Sequence, residues 1–359
     1  MLYHLLTPLT EYSILFNLFR YTTFRALMAA VTSFVLTMVL IPPFIRWIRR
    51  RGLGEVILED LAHHAQKQGT PTSGGLVFIS ATLLATLLWA RWDIAFVWVA
   101  LAAVAALTGM GFLDDLAKLR DGKSKGLSKR QKLLVQGVVA VGVFLFVWRS
   151  YGDLAFATQM LFLKNYVLYF GWLYPLFLWF VFVGTSNAVN LTDGLDGLAA
   201  GTALAPLGVL MAVAYIQGHV KLSGYLNVLY QPGMGELAVF AATLTGALLA
   251  FLWYNAHPAE IFMGDTGSQG LGAAFAVLAI LTKQELLLAV AGGVFVMEAV
   301  SVLIQVASFR YFGRRRVFRM APLHHHFEKK GWAETKIVVR FWILSMIFSL
   351  LALATLKIR

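Results

Sequence analysis

The 359-residue sequence contains no cysteine and few charged residues, which make up 13% of the chain. Without cysteine there is no disulfide bond and no thiolate metal ligand, so a metal site would need oxygen or nitrogen ligands. The low share of charge accompanies a hydrophobic content of 59%. A soluble domain of this length cannot enclose so much apolar surface. We therefore expect an integral membrane protein.

The apolar residues form runs long enough to cross a membrane. A spanning helix needs roughly 20 predominantly apolar residues, because its backbone groups must be satisfied within the segment. The sequence predicts about ten spans, near residues 22–45, 74–90, 94–113, 133–148, 166–186, 198–217, 236–254, 268–282, 286–308 and 337–356. Nine is the alternative count, since the second and eighth runs are short. With no internal repeat or linker, we expect one all-α membrane domain over residues 1–359.

Basic residues are divided unevenly between the two sides of the predicted membrane domain. The loops after the first, third and ninth spans carry 20 of the 30 lysine and arginine residues. Basic residues accumulate in cytoplasmic loops, so ten spans predict that both termini face outward, on the periplasmic side. The net charge of +12 follows from this pattern. We expect no nucleic-acid partner, because no groove-reading motif accompanies the basic residues.

Two adjacent carboxylates, Asp114 and Asp115, end the third predicted span, and Lys118 follows them on the cytoplasmic side. Paired carboxylates at the end of an apolar helix repel each other and are costly to desolvate unless a cation compensates their charge. A divalent metal ion would do so. The competing interpretation is an ordinary solvated helix end.

A second polar segment, between spans five and six, has Asn187, Asn190, Asp193 and Asp196 at every third position. Steps of three residues would wind these side chains around a regular α-helix and aim some of them at lipid. The two glycines in the segment instead favour a broken helix or loop, in which amides and carboxylates converge on a polar ligand. In the alternative, the asparagines cap the helix and the aspartates form a turn.

A third polar segment precedes span eight and contains Asn255, Phe262 and a Gly-Asp-Thr-Gly sequence that includes Asp265. A helix N-terminus flanked by glycines offers amide donors and a positive dipole end to a phosphate. Phe262 is a candidate for stacking on a base. N-capping by Asp265 or Thr266 is an alternative that is compatible with ligand binding.

Two more segments are candidates for phosphate binding. After the first span, Lys67 and Thr72 precede a glycine pair that could form a turn with free amides. After the ninth span, His324, His325 and His326 cannot all point to one metal from a regular helix or strand, so a zinc site is the weaker interpretation. Imidazoles in a basic loop more naturally serve phosphate oxygens, as hydrogen-bond donors and partial cations.

In this order, the segments resemble the motifs of the polyprenyl-phosphate N-acetylhexosamine-1-phosphate transferase superfamily over nearly the whole chain. The matching sequences are Asp-Asp-x-x-Lys at 114–118, Asn-x-x-Asn-x-x-Asp-Gly-x-Asp-Gly at 187–197 and Gly-Asp-Thr-Gly at 264–267. Two further segments, Pro-Leu-His-His-His-Phe-Glu at 322–328 and Lys-x-Gly-Thr-Pro-Thr-x-Gly-Gly at 67–75, are similar to those of the bacterial phospho-N-acetylmuramoyl-pentapeptide transferases. Ser73 is a small departure, since the resemblance leads us to expect methionine there.

The resemblance implies transfer of phospho-N-acetylmuramoyl-pentapeptide from its UDP conjugate to undecaprenyl phosphate, which yields lipid I and UMP for peptidoglycan synthesis. It implies a catalytic set of Asp114, Asp115 and Asp265. Magnesium, a hard ion that prefers oxygen ligands, would be held by Asp265 together with Asp115 or Asp114. The remaining predicted site residues would bind substrate, and they are Lys67, Thr72, Lys118, Asn187, Asn190, Asp193, Asp196, Asn255, Phe262, His324, His325 and His326.

The resemblance also implies a location in the bacterial inner membrane, with the site facing the cytoplasm. A homodimer is left open, as is the choice between direct attack by the lipid phosphate and an aspartate nucleophile with a covalent intermediate. One alternative function is a sibling transferase that uses UDP-N-acetylglucosamine. Another is an ion-coupled secondary transporter, because intramembrane carboxylates and broken helices also mark carriers. Against the carrier, the polar residues gather at one membrane face rather than at the midplane.

Overall fold

The computed structural model describes residues 1–50, 69–121, 126–161, 163, 167–311, 313 and 315–358. Lys67, which the sequence predicts to bind substrate, lies outside these described residues.

Helices form most of the regular structure. In chain order they are α1 (Leu2–Leu6), α2 (Thr22–Arg50), α3 (Gly75–Trp89), α4 (Ala95–Asp121), α5 (Lys129–Tyr151), α6 (Tyr174–Thr192), α7 (Leu198–Gln217), α8 (Val220–Leu226), α9 (Gly235–Asn255), α10 (Gly264–Leu281), α11 (Glu285–Ala291), α12 (Gly293–Tyr311), α13 (Leu323–Glu328) and α14 (Glu334–Ile358). Short 3-10 helices cover Thr7–Glu11, Ile14–Arg20, Gly152–Phe156 and Gly171–Leu173. A small antiparallel ribbon pairs β1 (Ala157–Gln159) with β2 (Val167–Tyr169).

Eight of these helices are long and apolar enough to cross a membrane, namely α2, α4, α5, α6, α7, α9, α12 and α14. The prediction of a helical, multi-pass membrane protein is therefore confirmed. The apolar helix α3 has only 15 residues, as the short second run indicated. The number of spans and the orientation of the termini stay predictions.

Two predicted spans differ from the observed helices. The fifth was expected from residue 166, but strand β2 and a 3-10 helix occupy its start, and α6 begins at Tyr174. Pairing with β1 explains this difference, because it uses the backbone of residues 167–169. The ninth span, expected as one helix over 286–308, is divided at Gly292 into α11 and α12. Glycine is a poor helix former, and the pair Gly292-Gly293 allows this break.

Helix α10 lies at the centre of the molecule, where every residue from Thr266 to Leu281 is buried. It packs against α4, α6 and α3. Small residues permit this packing, because a Cβ on Gly270 would lie 2.3 Å from Thr108 Oγ1 and one on Gly272 would lie 2.4 Å from Ser186 Cα. The helix therefore has no face toward lipid, and its N-terminus is held among the cytoplasmic ends predicted for its neighbours.

Charged side chains that are buried at the opposite end of the helices are paired. The two terminal guanidinium nitrogens of Arg25, Nη1 and Nη2, donate to the carboxylate of Glu236 at 2.5 and 2.6 Å, which joins α2 to α9. Lys283 donates to backbone carbonyls and to the hydroxyl of Tyr174, and Glu285 accepts a hydrogen bond from the same tyrosine. A buried charge in a membrane protein is costly unless it is paired, so these contacts fix the helices around α10.

Gly75 and Gly267 lie where α3 crosses α10. A Cβ on Gly75 would lie 2.0 Å from the backbone nitrogen of Gly267, far inside van der Waals contact. We therefore expect Gly75→Ala to force α3 away from α10 and to lower the free energy of unfolding by about 3 kcal/mol or more. Thermal unfolding of the purified protein in detergent measures this loss.

The matched control is Gly109→Ala on α4, where a Cβ would meet no atom within 4 Å. That change should leave stability the same or slightly higher, because alanine favours the helix. An equal loss of stability in both variants would contradict the close approach of α3 and α10.

Candidate active site

Three aspartates meet where the end of α4 approaches the start of α10. Asp114 and Asp115 lie in the last turns of α4, and Asp265 lies in the first turn of α10, before its apolar part. Ligand oxygens of the three carboxylates all lie within 4.8 Å of one another. The approach is so close that a Cβ on Gly111 would lie 2.2 Å from the carbonyl oxygen of Asp265. The structure thus brings together the residues that the sequence predicts to be catalytic.

Two lysines bridge Asp114 and Asp265. Lys118 Nζ lies 2.7 Å from Asp114 Oδ2 and 3.3 Å from Asp265 Oδ2. Lys132 Nζ lies 3.0 Å from Asp114 Oδ1 and 2.8 Å from Asp265 Oδ2. Burial raises the pKa of Asp265, but its interactions with Asp114 and the two lysines outweigh burial and hold the pKa below its ordinary value. The cluster therefore balances buried carboxylates with cations of its own.

Lys132 is a site residue that the sequence does not single out. It lies near the start of α5, in a segment that the sequence assigns to a cytoplasmic loop. Basic residues in such a loop are expected from the orientation of the protein in the membrane alone. The pairing with two aspartates depends on the fold, since 133 residues separate Lys132 from Asp265.

Asp115 has a different role from Asp114, because its oxygens hold the N-terminus of α10. Oδ1 accepts the backbone N–H of Asp265 at 3.0 Å, and Oδ2 accepts the backbone N–H and the hydroxyl of Thr266 at 3.0 and 2.6 Å. Ser73 Oγ donates to the same Oδ2 at 3.0 Å. The first amides of a helix lack partners within the helix, and a carboxylate there also faces the positive dipole end. Asp115 therefore fastens α4 to α10.

The sequence raised N-capping by Asp265 or Thr266 as an alternative, and this alternative is wrong. The residue at the N-cap position of α10 is Met263, and no side chain within this helix caps it. The carboxylate of Asp115 satisfies these amides from α4. Ser73, where the resemblance leads us to expect methionine, contributes through its hydroxyl and adopts a positive φ of 64°.

Asn190 joins the cluster and Asn187 does not. Asn190 Nδ2 donates to Asp265 Oδ1 at 2.8 Å and to Ser268 Oγ at 2.9 Å. Asn187 is exposed, and its amide donates to the carbonyl of Val183 on its own helix at 2.7 Å. The expected break in this segment begins later than predicted, because α6 continues regularly to Thr192. On a regular helix the side chains of Asn187 and Asn190 point about 60° apart, and only that of Asn190 reaches Asp265.

The turn after α6 is held by contacts to the loop after α9. Asp193 is the C-cap residue of α6 and begins this turn. Asp196 is 3% exposed, and its Oδ2 lies 2.9 Å from His257 Nδ1 and accepts the N–H of Ala259 at 3.2 Å. Glu334, at the start of α14, accepts the backbone N–H of Asp196 at 2.8 Å. Asp196, His257 and Glu334 form a second cluster of carboxylates with an imidazole. Its members interact with one another and with the backbone of this loop.

Asn255 ties the same two loops together rather than offering its amide to the aspartate cluster. It is 2% exposed, its Oδ1 accepts the N–H of Gly197 at 3.1 Å, and its Nδ2 donates to the carbonyl of Ile261 at 2.9 Å. Phe262, next in the chain, is half-buried, and its backbone bonds at 2.8 Å to Pro71 and to Gly74. Thr72 lies between these two contacts and is buried. Thr72 and Phe262 therefore lie on two neighbouring, hydrogen-bonded backbone segments beside the aspartate cluster.

The three consecutive histidines have three separate partners. His324 is fully buried, with Nδ1 3.3 Å from Glu298 Oε1. His325 Nδ1 lies 2.6 Å from Glu328, and His326 Nδ1 accepts the backbone N–H of Arg319 at 3.0 Å. This divergence supports the interpretation that the run is not a single zinc site.

Burial and the neighbouring cations of Lys330 and Arg319 lower the pKa of the His326 imidazole and so favour its neutral form. Since Nδ1 accepts a hydrogen bond, Nε2 carries the proton. His326 therefore fits the expected role of hydrogen-bond donor but not that of partial cation.

Glu298 is a second residue that the sequence does not single out. It is fully buried on α12, and its carboxylate accepts the backbone N–H of Leu323 at 2.7 Å. On the other side of His324, a Cβ on Gly194 would lie 2.4 Å from Nε2, so the imidazole is held between α12 and the turn after α6. The sequence does contain an indication of this role, because Glu298 is a lone carboxylate in an apolar span, and such residues are seldom tolerated without a partner.

Comparison with known proteins gives matches over the whole chain. Residues 97–283 match the family model described as Glycosyl transferase family 4. The chain is 50% identical to the phospho-N-acetylmuramoyl-pentapeptide-transferase of Desulfotalea psychrophila, 48% identical to that of Desulfosudis oleivorans and 47% identical to that of Oleidesulfovibrio alaskensis. Each match covers 100% of this chain and 100% of the relative.

The different contacts of Asp114 and Asp115 predict different effects on stability. Asp115→Asn replaces an acceptor of four hydrogen bonds with an amide that faces donors, so we expect a loss of about 2 kcal/mol in the free energy of unfolding. Asp114→Asn should cost less, because Lys118 and Lys132 are partly exposed and stay paired with Asp265. Thermal unfolding of both variants in detergent makes the comparison, and a larger loss for Asp114→Asn would contradict the assignment of Asp115 to α10.

Proposed function

Because this chain belongs to the family of phospho-N-acetylmuramoyl-pentapeptide-transferases, we propose that it transfers phospho-N-acetylmuramoyl-pentapeptide from UDP-N-acetylmuramoyl-pentapeptide to undecaprenyl phosphate. The products are lipid I and UMP, in peptidoglycan synthesis. The observation that carries the proposal on the structural side is the meeting of Asp114, Asp115 and Asp265 with two lysines at one end of the helices. Such a site is suited to a reaction between two phosphates, because both partners bring negative charge.

The proposed location is the bacterial inner membrane, with the site on the cytoplasmic face and both termini on the periplasmic face. The described cluster lies at the end of α4 and the start of α5, which border the basic loop after the third predicted span, and at the start of α10. Basic loops remain on the cytoplasmic side. A single domain is supported by a continuous core that includes residues from α2 through α12. A homodimer is not part of the proposal.

The donor set fits a magnesium ion, because the cluster offers carboxylate oxygens, which this hard cation prefers. The positions of Lys118 and Lys132 support the same idea, since positive charge is already stabilised between Asp114 and Asp265. We assign Asp265 and Asp114 as the residues that would hold the ion. Asp115 was the partner expected from the sequence, but its oxygens accept four hydrogen bonds, so we propose that it acts by holding α10. The bound ion would screen the charge of the diphosphate and of the leaving UMP.

The proposed reaction is direct attack by the lipid phosphate. A phosphate monoester has a second pKa near 6, so the nucleophile is already largely ionised at about pH 7 and needs little help from a base. One of its oxygens forms a bond to the sugar-bearing phosphorus of the UDP conjugate. The bond from that phosphorus to the bridging oxygen breaks, and UMP leaves with the electron pair.

The contacts of the aspartates favour direct attack over an aspartate nucleophile. Asp115 is fully engaged at the N-terminus of α10. Asp114 is paired with both lysines and also accepts the N–H of Leu127 at 2.6 Å. Lys118 and Lys132, whose side chains are 38% and 22% exposed, would bind phosphate oxygens of the substrates.

The other predicted residues are given the following roles. Asn190 positions Asp265, and Asn255 positions the loops on either side of the turn after α6. We propose that uridine and sugar are bound near Asp193, Asp196 and Phe262, with Thr72 alongside. The remaining predicted phosphate ligands are Lys67, His325 and His326. His324 was also predicted to bind phosphate, but it is fully buried between α12 and the turn after α6, so we propose that it positions this turn. Asn187 is given no role, because its side chain lies away from the cluster.

Removing the charge of Asp265 should abolish metal-dependent turnover. We expect Asp265→Asn to lower the rate by about a thousandfold, because the variant loses both a metal ligand and the partner of two lysines. The measurement is UMP release from UDP-N-acetylmuramoyl-pentapeptide and undecaprenyl phosphate as magnesium is varied.

The control for this variant is Asp93→Asn, in the loop between α3 and α4, where the carboxylate is 45% exposed. A rate like that of the unmodified protein for Asp265→Asn would contradict the metal assignment. In the same assay, UMP release with UDP-N-acetylglucosamine but not with UDP-N-acetylmuramoyl-pentapeptide would favour the sibling transferase. Uptake into proteoliposomes without UMP formation would favour the carrier.

Direct attack predicts that no UMP is released without the lipid acceptor. The protein is incubated with magnesium and a UDP conjugate labelled in the sugar, and UMP and protein-bound label are both measured. We expect neither to reach the amount of enzyme present. Stoichiometric UMP release with the label retained on the protein would show a covalent intermediate instead.

A further inference from the structure

A cavity of about 710 Å³ lies beside the cytoplasmic end predicted for α12, apart from the aspartate cluster. Four cationic side chains line it, those of Arg310, Arg316, Arg319 and Lys329, and no carboxylate does. Within the described ranges, none of the four forms an ion pair with an acidic residue. Four cations that share one cavity repel one another, so the cavity is suited to an anion that the protein itself does not supply.

The cationic wall is held in place by hydrogen bonds to α12 and to the histidine segment. The side chain of Gln305 on α12 accepts the N–H of Phe318 at 3.0 Å and donates to its carbonyl at 3.2 Å. The guanidinium of Arg319 donates to the carbonyl of Lys329 at 2.9 Å, and its backbone N–H donates to His326. These contacts fix Arg319 and the backbone of the segment that carries it.

The part of the cavity wall that α12 forms includes exposed apolar side chains. Val306 and Phe309 line the cavity and are 53% and 48% exposed. Leu303, about one helical turn further into the span, is 67% exposed. Helix α12 is one of the eight helices that can cross a membrane, and Arg310 lies in its last turn. Cations thus lie at the depth of the lipid head groups, with apolar side chains immediately deeper.

We propose that this cavity binds an anionic phospholipid of the cytoplasmic leaflet, with its phosphodiester among the four cations and an acyl chain along Leu303 and Val306. Basic pockets at the cytoplasmic ends of spanning helices are suited to such head groups. A free phosphate or a nucleotide would satisfy the cations but would leave the exposed apolar wall uncovered. Undecaprenyl phosphate, the proposed acceptor, also has a phosphate and an apolar tail, but the cavity shares no residue with the aspartate cluster where the transfer would take place.

Binding of phosphatidylglycerol to the full chain in detergent, followed by native mass spectrometry, tests the proposal. Two double variants remove the same charge, Arg310→Gln with Arg316→Gln inside the cavity and Arg315→Gln with Lys330→Gln outside it. At about 1 kcal/mol per basic residue near a lipid surface, the first pair should weaken phosphatidylglycerol binding by roughly tenfold or more. The second pair should leave it unchanged, and zwitterionic phosphatidylcholine should bind weakly throughout.

Three results would overturn the proposal. An equal loss in both double variants would show a diffuse surface potential rather than a site. Displacement of phosphatidylglycerol by inorganic phosphate at comparable concentrations would show that the lipid tail is irrelevant. A raised KM for the UDP conjugate or for undecaprenyl phosphate in the cavity variant, measured in phosphatidylcholine nanodiscs, would assign the cavity to that substrate. Because the binding measurement involves no transfer, it stands whether or not the proposed reaction is confirmed.

Discussion

Buried negative charge at the end of α4 is the constraint on which the rest of the site depends. A carboxylate in this environment is stable only if the protein supplies donors or cations, and the two neighbouring aspartates solve the problem differently. Asp115 uses the free amides at the start of α10, and Asp114 uses two lysine side chains. The first solution is rigid, because it is part of the helix packing. The second leaves charged side chains partly exposed, where they can meet a ligand.

The central position of α10 follows from the same constraint. Its N-terminus can reach Asp115 only if α3 and α4 approach it closely, and glycines at positions 75, 111 and 267 make that possible. A helix surrounded on all sides by protein need not be strongly apolar. This explains why α10 carries Asp265, Ser268 and Gln269 within two turns and still belongs to the membrane domain.

Much of the architecture could be predicted from the sequence, because apolar runs and basic loops report directly on the bilayer. The three aspartates could be predicted as well, since charge next to an apolar run needs an explanation. Lys132 could not, because its partners are defined by contacts between distant segments. Asn187 and Asn190 show the opposite limit. A shared spacing put them in one motif, but the regular end of α6 turns only Asn190 toward Asp265.

The clamp on His324 has a mechanical consequence. Glu298 belongs to a helix that can cross the membrane, and it holds the segment that carries His324, while the imidazole rests against Gly194. A small vertical displacement of α12 in the bilayer would therefore move this imidazole relative to the turn that contains Asp193 and Asp196. A change in bilayer thickness that displaced α12 would be transmitted in this way to a turn that lies outside the span.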